Sequence, residues 1–216
     1  MKTTVYLIPG QGADHRLFNK IELDSNRFEV RHIEYQLPPK DCTLPAYAKL
    51  LATQIDTTQS YILIGVSLGG MLATEMNSFL RPRKTIVISS AKCRSELPFQ
   101  YRFQRKLPLY KVLTPGMAKR GAQIMQPIVE PDRNKEKDTF KSMLRDKDPV
   151  FLRRTIQMIL QWERSGYNQQ IIHIHGSRDK TIPIRNVQYD HRITGGSHMM
   201  TLTRGAEISE LLNQIL

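Results

Sequence analysis

Cysteine is nearly absent from this chain: Cys42 and Cys93 are the only two among 216 residues. Two cysteines at this length make no disulfide framework, so a reducing cytoplasm is the expected setting. Long apolar runs are missing as well. None approaches the roughly 18 residues that a membrane span needs, so no spanning helix is expected. The opening residues, Met1-Lys2-Thr3-Thr4, lead straight into a short strand pattern, without the apolar stretch and small-residue cleavage site of a secretory signal. Cys and His never cluster at zinc spacing. His173 and His175 alternate along one strand pattern, which puts both rings on one face, but no carboxylate or third histidine adjoins them. Neither a metal nor a cofactor is therefore expected.

Negative charge is the third shortage. Asp and Glu number 20 against 32 Lys and Arg, a formal net charge of +12. Most of the excess lies between Lys92 and Arg164, where 17 basic residues face 8 acidic ones. Such a segment attracts an anionic substrate, an acidic carrier or anionic lipid, or else it is simply the solvated face of a basic protein. No nucleic-acid recognition motif accompanies the charge, so nucleic acid is not an expected partner.

What is present is a chain of short apolar, β-branched runs separated by helical patterns. Strands are expected over Thr4 to Ile8, Phe28 to Tyr35, Ser60 to Ile64, Lys84 to Ser89, Gln170 to His175 and Val187 to Ile193. Runs of this kind suit strands buried on both faces of a parallel sheet. Thr43 is placed to cap a helix beginning at Leu44, with Pro45 in its first turn. Ala206 to Leu216 carries Ile208, Leu211, Leu212 and Ile215 at helical spacing. The alternation predicts an α/β three-layer domain. Residues 92–164 break it. They are rich in Pro, Met, Lys and Arg, and Phe151 to Arg164 is helical by pattern. This stretch reads as a helical insert between the fourth and fifth strands, with Phe99, Phe103, Leu109, Met117 and Met125 available either to wall a pocket or to pack the insert onto the body.

Gly65-Val66-Ser67-Leu68-Gly69 carries the chemistry. It joins the apolar run Tyr61-Ile62-Leu63-Ile64 to a helical segment beginning at Met71, with a serine at the apex of the turn. A serine nucleophile needs such a turn to lift its Oγ clear and to aim the next helix's first amides at a developing oxyanion. A Gly/Ser turn between two core elements would show the same five residues, so the later segments matter. Asp179 follows the expected fifth strand, in His175-Gly176-Ser177-Arg178-Asp179-Lys180-Thr181-Ile182-Pro183. His198 stands in the glycine-rich loop Gly195-Gly196-Ser197-His198 after the sixth. The order is Ser67, Asp179, His198. Asp190 is a second candidate for the acid, and His15 lies close behind the first loop.

In this order of motifs the chain resembles the α/β-hydrolase superfamily. The matching pieces are Ile8-Pro9-Gly10-Gln11-Gly12 for the first glycine-rich loop, Gly65 to Gly70 for the nucleophile elbow, His175 to Pro183 for the acid loop and Gly195 to His198 for the histidine loop. Pro9 departs from the histidine that many relatives carry before the glycine. The resemblance implies a mostly parallel sheet of about six strands, ordered second-first-third-fourth-fifth-sixth, formed by a core of residues 1–91 and 165–216 with residues 92–164 as a helical cap. It also implies a catalytic triad of Ser67, Asp179 and His198, with the backbone N–H groups of Gln11 and Leu68 as oxyanion hole. The expected substrate is a small-molecule ester or thioester. A triad-using lyase, a C–C-bond hydrolase and a non-catalytic ligand-binding protein are the alternatives that the fold leaves open.

Overall fold

The computed structural model describes residues 2–104 and 133–216, together with residues 114, 116, 117, 120 and 121. Six strands form one sheet: β1 (Thr3–Ile8), β2 (Phe28–His32), β3 (Tyr61–Val66), β4 (Lys84–Ile88), β5 (Ile172–Gly176) and β6 (His191–Ile193). Their order is β2-β1-β3-β4-β5-β6 and every neighbouring pair is parallel. The helices are α1 (Leu44–Ala52), α2 (Leu68–Met76), α3 (Phe99–Gln104), α4 (Lys137–Asp146), α5 (Pro149–Gln161), α6 (Met200–Thr203) and α7 (Gly205–Ile215).

Strand periodicity creates the layers. Successive side chains of β1 alternate between two apolar cores. Tyr6 and Ile8 join one with Leu63, Leu72 and residues of α1 and α5. Val5 and Leu7 join the other with Ile62, Ile64, Ile86 and the α7 residues Ile208 and Leu212. The central strands are thus buried on both faces, unlike edge strand β2, which is exposed from Glu29 to His32; this is why β3 and residues Ile86 to Ile88 of β4 read as continuous apolar runs rather than alternating ones. Helix α1 begins where Thr43 Oγ1 accepts from the Ala46 amide at 3.4 Å, with Pro45 in the first turn.

Most element boundaries shift by a few residues from the sequence expectation (β2 ends at His32 rather than Tyr35, β5 begins at Ile172 rather than Gln170), and two elements shift for a visible reason. The sixth strand is only His191–Ile193, because residues 187–190 spend their backbone groups elsewhere: the Gln188 amide donates to Glu96 Oε1 at 3.2 Å and its carbonyl accepts from Lys92 Nζ at 2.8 Å. Helix α5 starts two residues earlier than expected and ends three residues sooner. Asp148 caps it by accepting from the Val150 amide at 2.6 Å, and Trp162 leaves it with extended backbone.

Described residues of the stretch 92–164 meet the rest of the chain, and one another, at several places. The ends of that stretch close on each other, where the Arg94 amide donates to the Arg164 carbonyl at 2.8 Å. Buried Glu75 on α2 accepts from Trp162 Nε1 at 2.7 Å and from Arg164 Nε at 2.8 Å. Phe99 and Phe103 stack on each other at 5.7 Å and are exposed, as is Met117. Leu109 and Met125 lie outside the described residues. Among the described residues no helix is long and apolar enough to cross a membrane. Removing one side of a buried ion pair strands the other charge and typically costs about 3 kcal/mol or more. Glu75→Ala is accordingly expected to lower unfolding free energy by about 3 kcal/mol, measured by urea denaturation; a loss below about 1 kcal/mol would mean that Arg164 finds water instead.

Candidate active site

Ser67 occupies the one-residue gap between the end of β3 and the start of α2, and its backbone is strained. It has φ 54° and ψ −118°, a region that an L-residue enters only under constraint. Three contacts supply that constraint. The Ser67 amide donates to the Ile88 carbonyl of β4 at 3.0 Å, and the Ser67 carbonyl accepts from the Gly70 amide at 2.9 Å. Ser90, just beyond β4, donates its hydroxyl to the same carbonyl at 2.7 Å. The flanking glycines have a steric cause. A Cβ on Gly65 would run into the Gly69 carbonyl, and one on Gly69 would run into the Ile8 carbonyl of β1. The turn therefore exists because strand, helix and neighbouring strand approach one another to backbone distance.

The acid comes from the turn after β5. Asp179 is 4 % exposed. Its Oδ1 accepts from the Thr181 amide at 2.9 Å and the Ile182 amide at 2.8 Å. Its Oδ2 accepts from His198 Nδ1 at 2.7 Å. His198 follows β6 through a loop in which Gly195 takes φ 77°. With Nδ1 donating to a carboxylate, a neutral His198 has a lone pair on Nε2. That atom lies 2.9 Å from Ser67 Oγ, so the serine hydroxyl donates into it. Ser67 and two residues more than a hundred positions further along the chain thus form one hydrogen-bonded line, set at the carboxyl ends of β3, β5 and β6.

The loop after β1 runs beside the serine: a Cβ on Gly10 would stand 3.5 Å from Ser67 Cβ. Leu68 opens α2, so its amide belongs to the first turn, whose N–H groups have no partner within the helix. The Gln11 side chain reaches α5. Its Nε2 donates to the Leu152 carbonyl at 3.0 Å and to Thr155 Oγ1 at 2.8 Å, both on α5. Arg16 extends the same bridge, donating to Ser142 Oγ at 3.0 Å and Asp146 Oδ2 at 3.0 Å on α4. Helices α4 and α5 are therefore fastened to the loop that flanks Ser67.

The other candidates have different partners. Asp190 is not in a strand. It stands just before β6, where its Oδ2 accepts from the His173 amide at 2.7 Å. His15 is exposed and lies edge-on to His32, with ring centroids 5.9 Å apart, in the turn that Asp14 caps. His173 and His175 are fully buried and bonded to each other at 3.0 Å, and among the described residues no group of three or more ligating side chains could hold a metal. A groove of about 450 Å³ bordered by Leu44, Met158 and Trp162 contains none of Ser67, Asp179 and His198. Ser90 was not legible as a site residue. The only signal is its position one strand over from a glycine-flanked turn.

No protein-family model matches the chain, and no curated protein matches it by sequence. Its likeness is to solved structures. A thermophilic esterase from Thermogutta terrifontis superimposes with a TM-score of 0.77 at 17 % identity, over 99 % of this chain and 89 % of that one. The enol-lactonase from Burkholderia xenovorans does so with a TM-score of 0.77 at 12 % identity, over 99 % and 91 %. An esterase from Exiguobacterium antarcticum gives 0.67 at 14 % identity, over 99 % and 91 %. Sheet order, helix layers and these likenesses agree: the chain has the α/β-hydrolase fold.

Proposed function

We propose that the chain is a serine hydrolase of carboxylic ester or thioester bonds, with Ser67 as nucleophile, His198 as general base and Asp179 as the acid. The observation that carries this reading is the unbroken line from Asp179 Oδ2 through His198 to Ser67 Oγ, at 2.7 and 2.9 Å, with the serine on a strained turn. Those distances suit proton transfer, and the tautomer that Asp179 selects leaves His198 Nε2 ready to accept.

The steps follow from these atoms. Ser67 Oγ attacks the carbonyl carbon while its proton passes to His198 Nε2, and Asp179 stabilises the imidazolium without taking the proton. The oxyanion is held by the amides of Leu68 and Gln11. The tetrahedral intermediate collapses, and the alcohol or thiol leaves with the proton from His198. Water, deprotonated by the same ring, then releases the acid and restores Ser67. The structurally similar esterases and lactonase favour ester substrates for this chain. Fluorophosphonate labelling at Ser67, followed by a screen of short and long p-nitrophenyl esters beside acyl thioesters, tests the reading. Absence of both labelling and turnover would overturn it.

Residues 92–164 serve in this reading as the cap over the serine. Support comes from the Arg94–Arg164 closure at its base and from the fastening of α4 and α5 to the loop of Gln11 and Arg16. If its basic residues face the entrance, an anionic ester gains an advantage at low salt that fades once the Debye length falls to about 10 Å near 0.1 M. The expected result is a steeper salt dependence of kcat/KM for the anionic member of a matched pair. Equal slopes would place those charges on the outer surface.

A further inference from the structure

Behind Asp179 lies a second line of buried groups that the proposed chemistry does not use. His173 and His175 are both inaccessible to solvent. His173 Nδ1 lies 2.9 Å from the Gln188 carbonyl, His173 Nε2 lies 3.0 Å from His175 Nδ1, and His175 Nε2 lies 2.8 Å from the Ile182 carbonyl. Asp179 Oδ2 is 3.5 Å from that same His175 Nε2. Burial pushes both rings below the ordinary histidine range, which favours their neutral forms.

Counting protons locates one of them. Three contacts need three protons, and two neutral imidazoles carry two. One contact must go without, and the surroundings decide which. The Gln188 carbonyl already accepts from Lys92 Nζ at 2.8 Å, so it can spare His173. The contact between the two rings can lose its proton at the cost of facing lone pairs. The His175 Nε2 position cannot, because a bare nitrogen there would face both a carbonyl oxygen and a carboxylate. Every acceptable arrangement therefore keeps a proton on His175 Nε2, and gaining a third proton would not remove it.

We propose that His175, braced by His173, is a positioning residue for Asp179. Its Nε2–H holds the Ile182 carbonyl while the Ile182 amide holds Asp179 Oδ1, and the same N–H lies against Oδ2, the oxygen that His198 uses. The carboxylate is thereby fixed from behind in the orientation that meets His198 Nδ1. The inference rests on reading Asp179 as the acid of a catalytic triad.

Two measurements test it without substrate. Ring nitrogen shifts of His175 in the wild-type protein should show Nε2 protonated at working pH. A bare Nε2 would overturn the proposal, and this reading needs no variant. The second is the downfield proton resonance of the Asp179–His198 hydrogen bond in two variants. His175→Gln carries its amide N–H where Nε2 stood, whereas His175→Asn carries it where Nδ1 stood. The glutamine variant should keep the resonance. The asparagine variant should shift or lose it, and should lower kcat by about 10- to 100-fold with KM held, as expected for a reacting group displaced by a fraction of an ångström. Equal behaviour of the two folded variants would overturn the proposal. Should the resonance behave as expected while no ester is cleaved, the hydrolase reading fails and the positioning role stands.

Discussion

Ser67→Ala is expected to lower kcat by about 10⁵- to 10⁶-fold, the range found when a serine nucleophile is removed from an intact triad. Stability should change by no more than about 1 kcal/mol. Alanine at φ 54° suffers the same backbone strain as serine, so the substitution neither relieves nor adds to it. The contacts that hold the turn belong to the Ser67 backbone: its amide with Ile88, its carbonyl with Gly70 and Ser90. All survive the change. Only the hydroxyl bond to His198 is lost. Adding His198→Ala to Ser67→Ala should reduce activity little further, because the residues act as a unit. The measurements are kcat on an ester that the wild type cleaves, fluorophosphonate labelling, and a denaturation curve to show that the fold persists. Wild-type turnover by a folded Ser67→Ala protein would remove the nucleophile assignment.

The reason this serine stood out in the sequence is local. Gly65 and Gly69 are needed wherever backbones come within contact distance, and five consecutive residues encode that need. Strand positions were legible for a similar reason: β3 and residues Ile86 to Ile88 of β4 are buried on both faces, and burial there selects apolar side chains. The sheet order came from the resemblance to the α/β-hydrolases rather than from any local pattern, and the structure has that order.

What was not legible depends on distant partners. Val187 to Asp190 looks like strand, yet Lys92 and Glu96, which follow β4, take up the backbone groups of Gln188. Nothing in a local pattern announces two charged residues ninety positions away. The Gln11 side chain is a similar case: only the packing of α5 against the first loop shows that it fastens Thr155. His173 and His175 were correctly placed on one face by their spacing. That their bonding runs through each other to the Ile182 carbonyl depends on how the acid loop folds back over β5.

Asp179→Asn is expected to lower kcat by about 10⁴-fold, less than loss of the serine but still large, although the shape of the side chain is unchanged. The backbone decides the outcome. Two amides, from Thr181 and Ile182, point at Asp179 Oδ1. An asparagine must place its carbonyl oxygen there, because turning its amide group toward two donors would leave three N–H groups facing one another. The NH₂ is then held at the Oδ2 position, toward His198 Nδ1. A donor at that point selects the His198 tautomer with a lone pair on Nδ1 and the proton on Nε2. His198 Nε2 then donates toward Ser67 Oγ, 2.9 Å away, and cannot accept the proton that nucleophilic attack must release. KM should change little, since the carboxylate is buried and does not meet substrate in this reading. Asp190→Asn provides the contrast. Its Oδ2 accepts from the backbone amide of His173, whereas His198 Nδ1 donates to Asp179, so kcat should remain within an order of magnitude of wild type. The two variants, assayed side by side with ring nitrogen shifts recorded for His198, separate the rival acids. Equal losses would deny Asp179 its role, and so would an unchanged His198 tautomer in Asp179→Asn with kcat preserved. A 10⁴-fold loss without the tautomer change would mean that the aspartate acts by its charge alone.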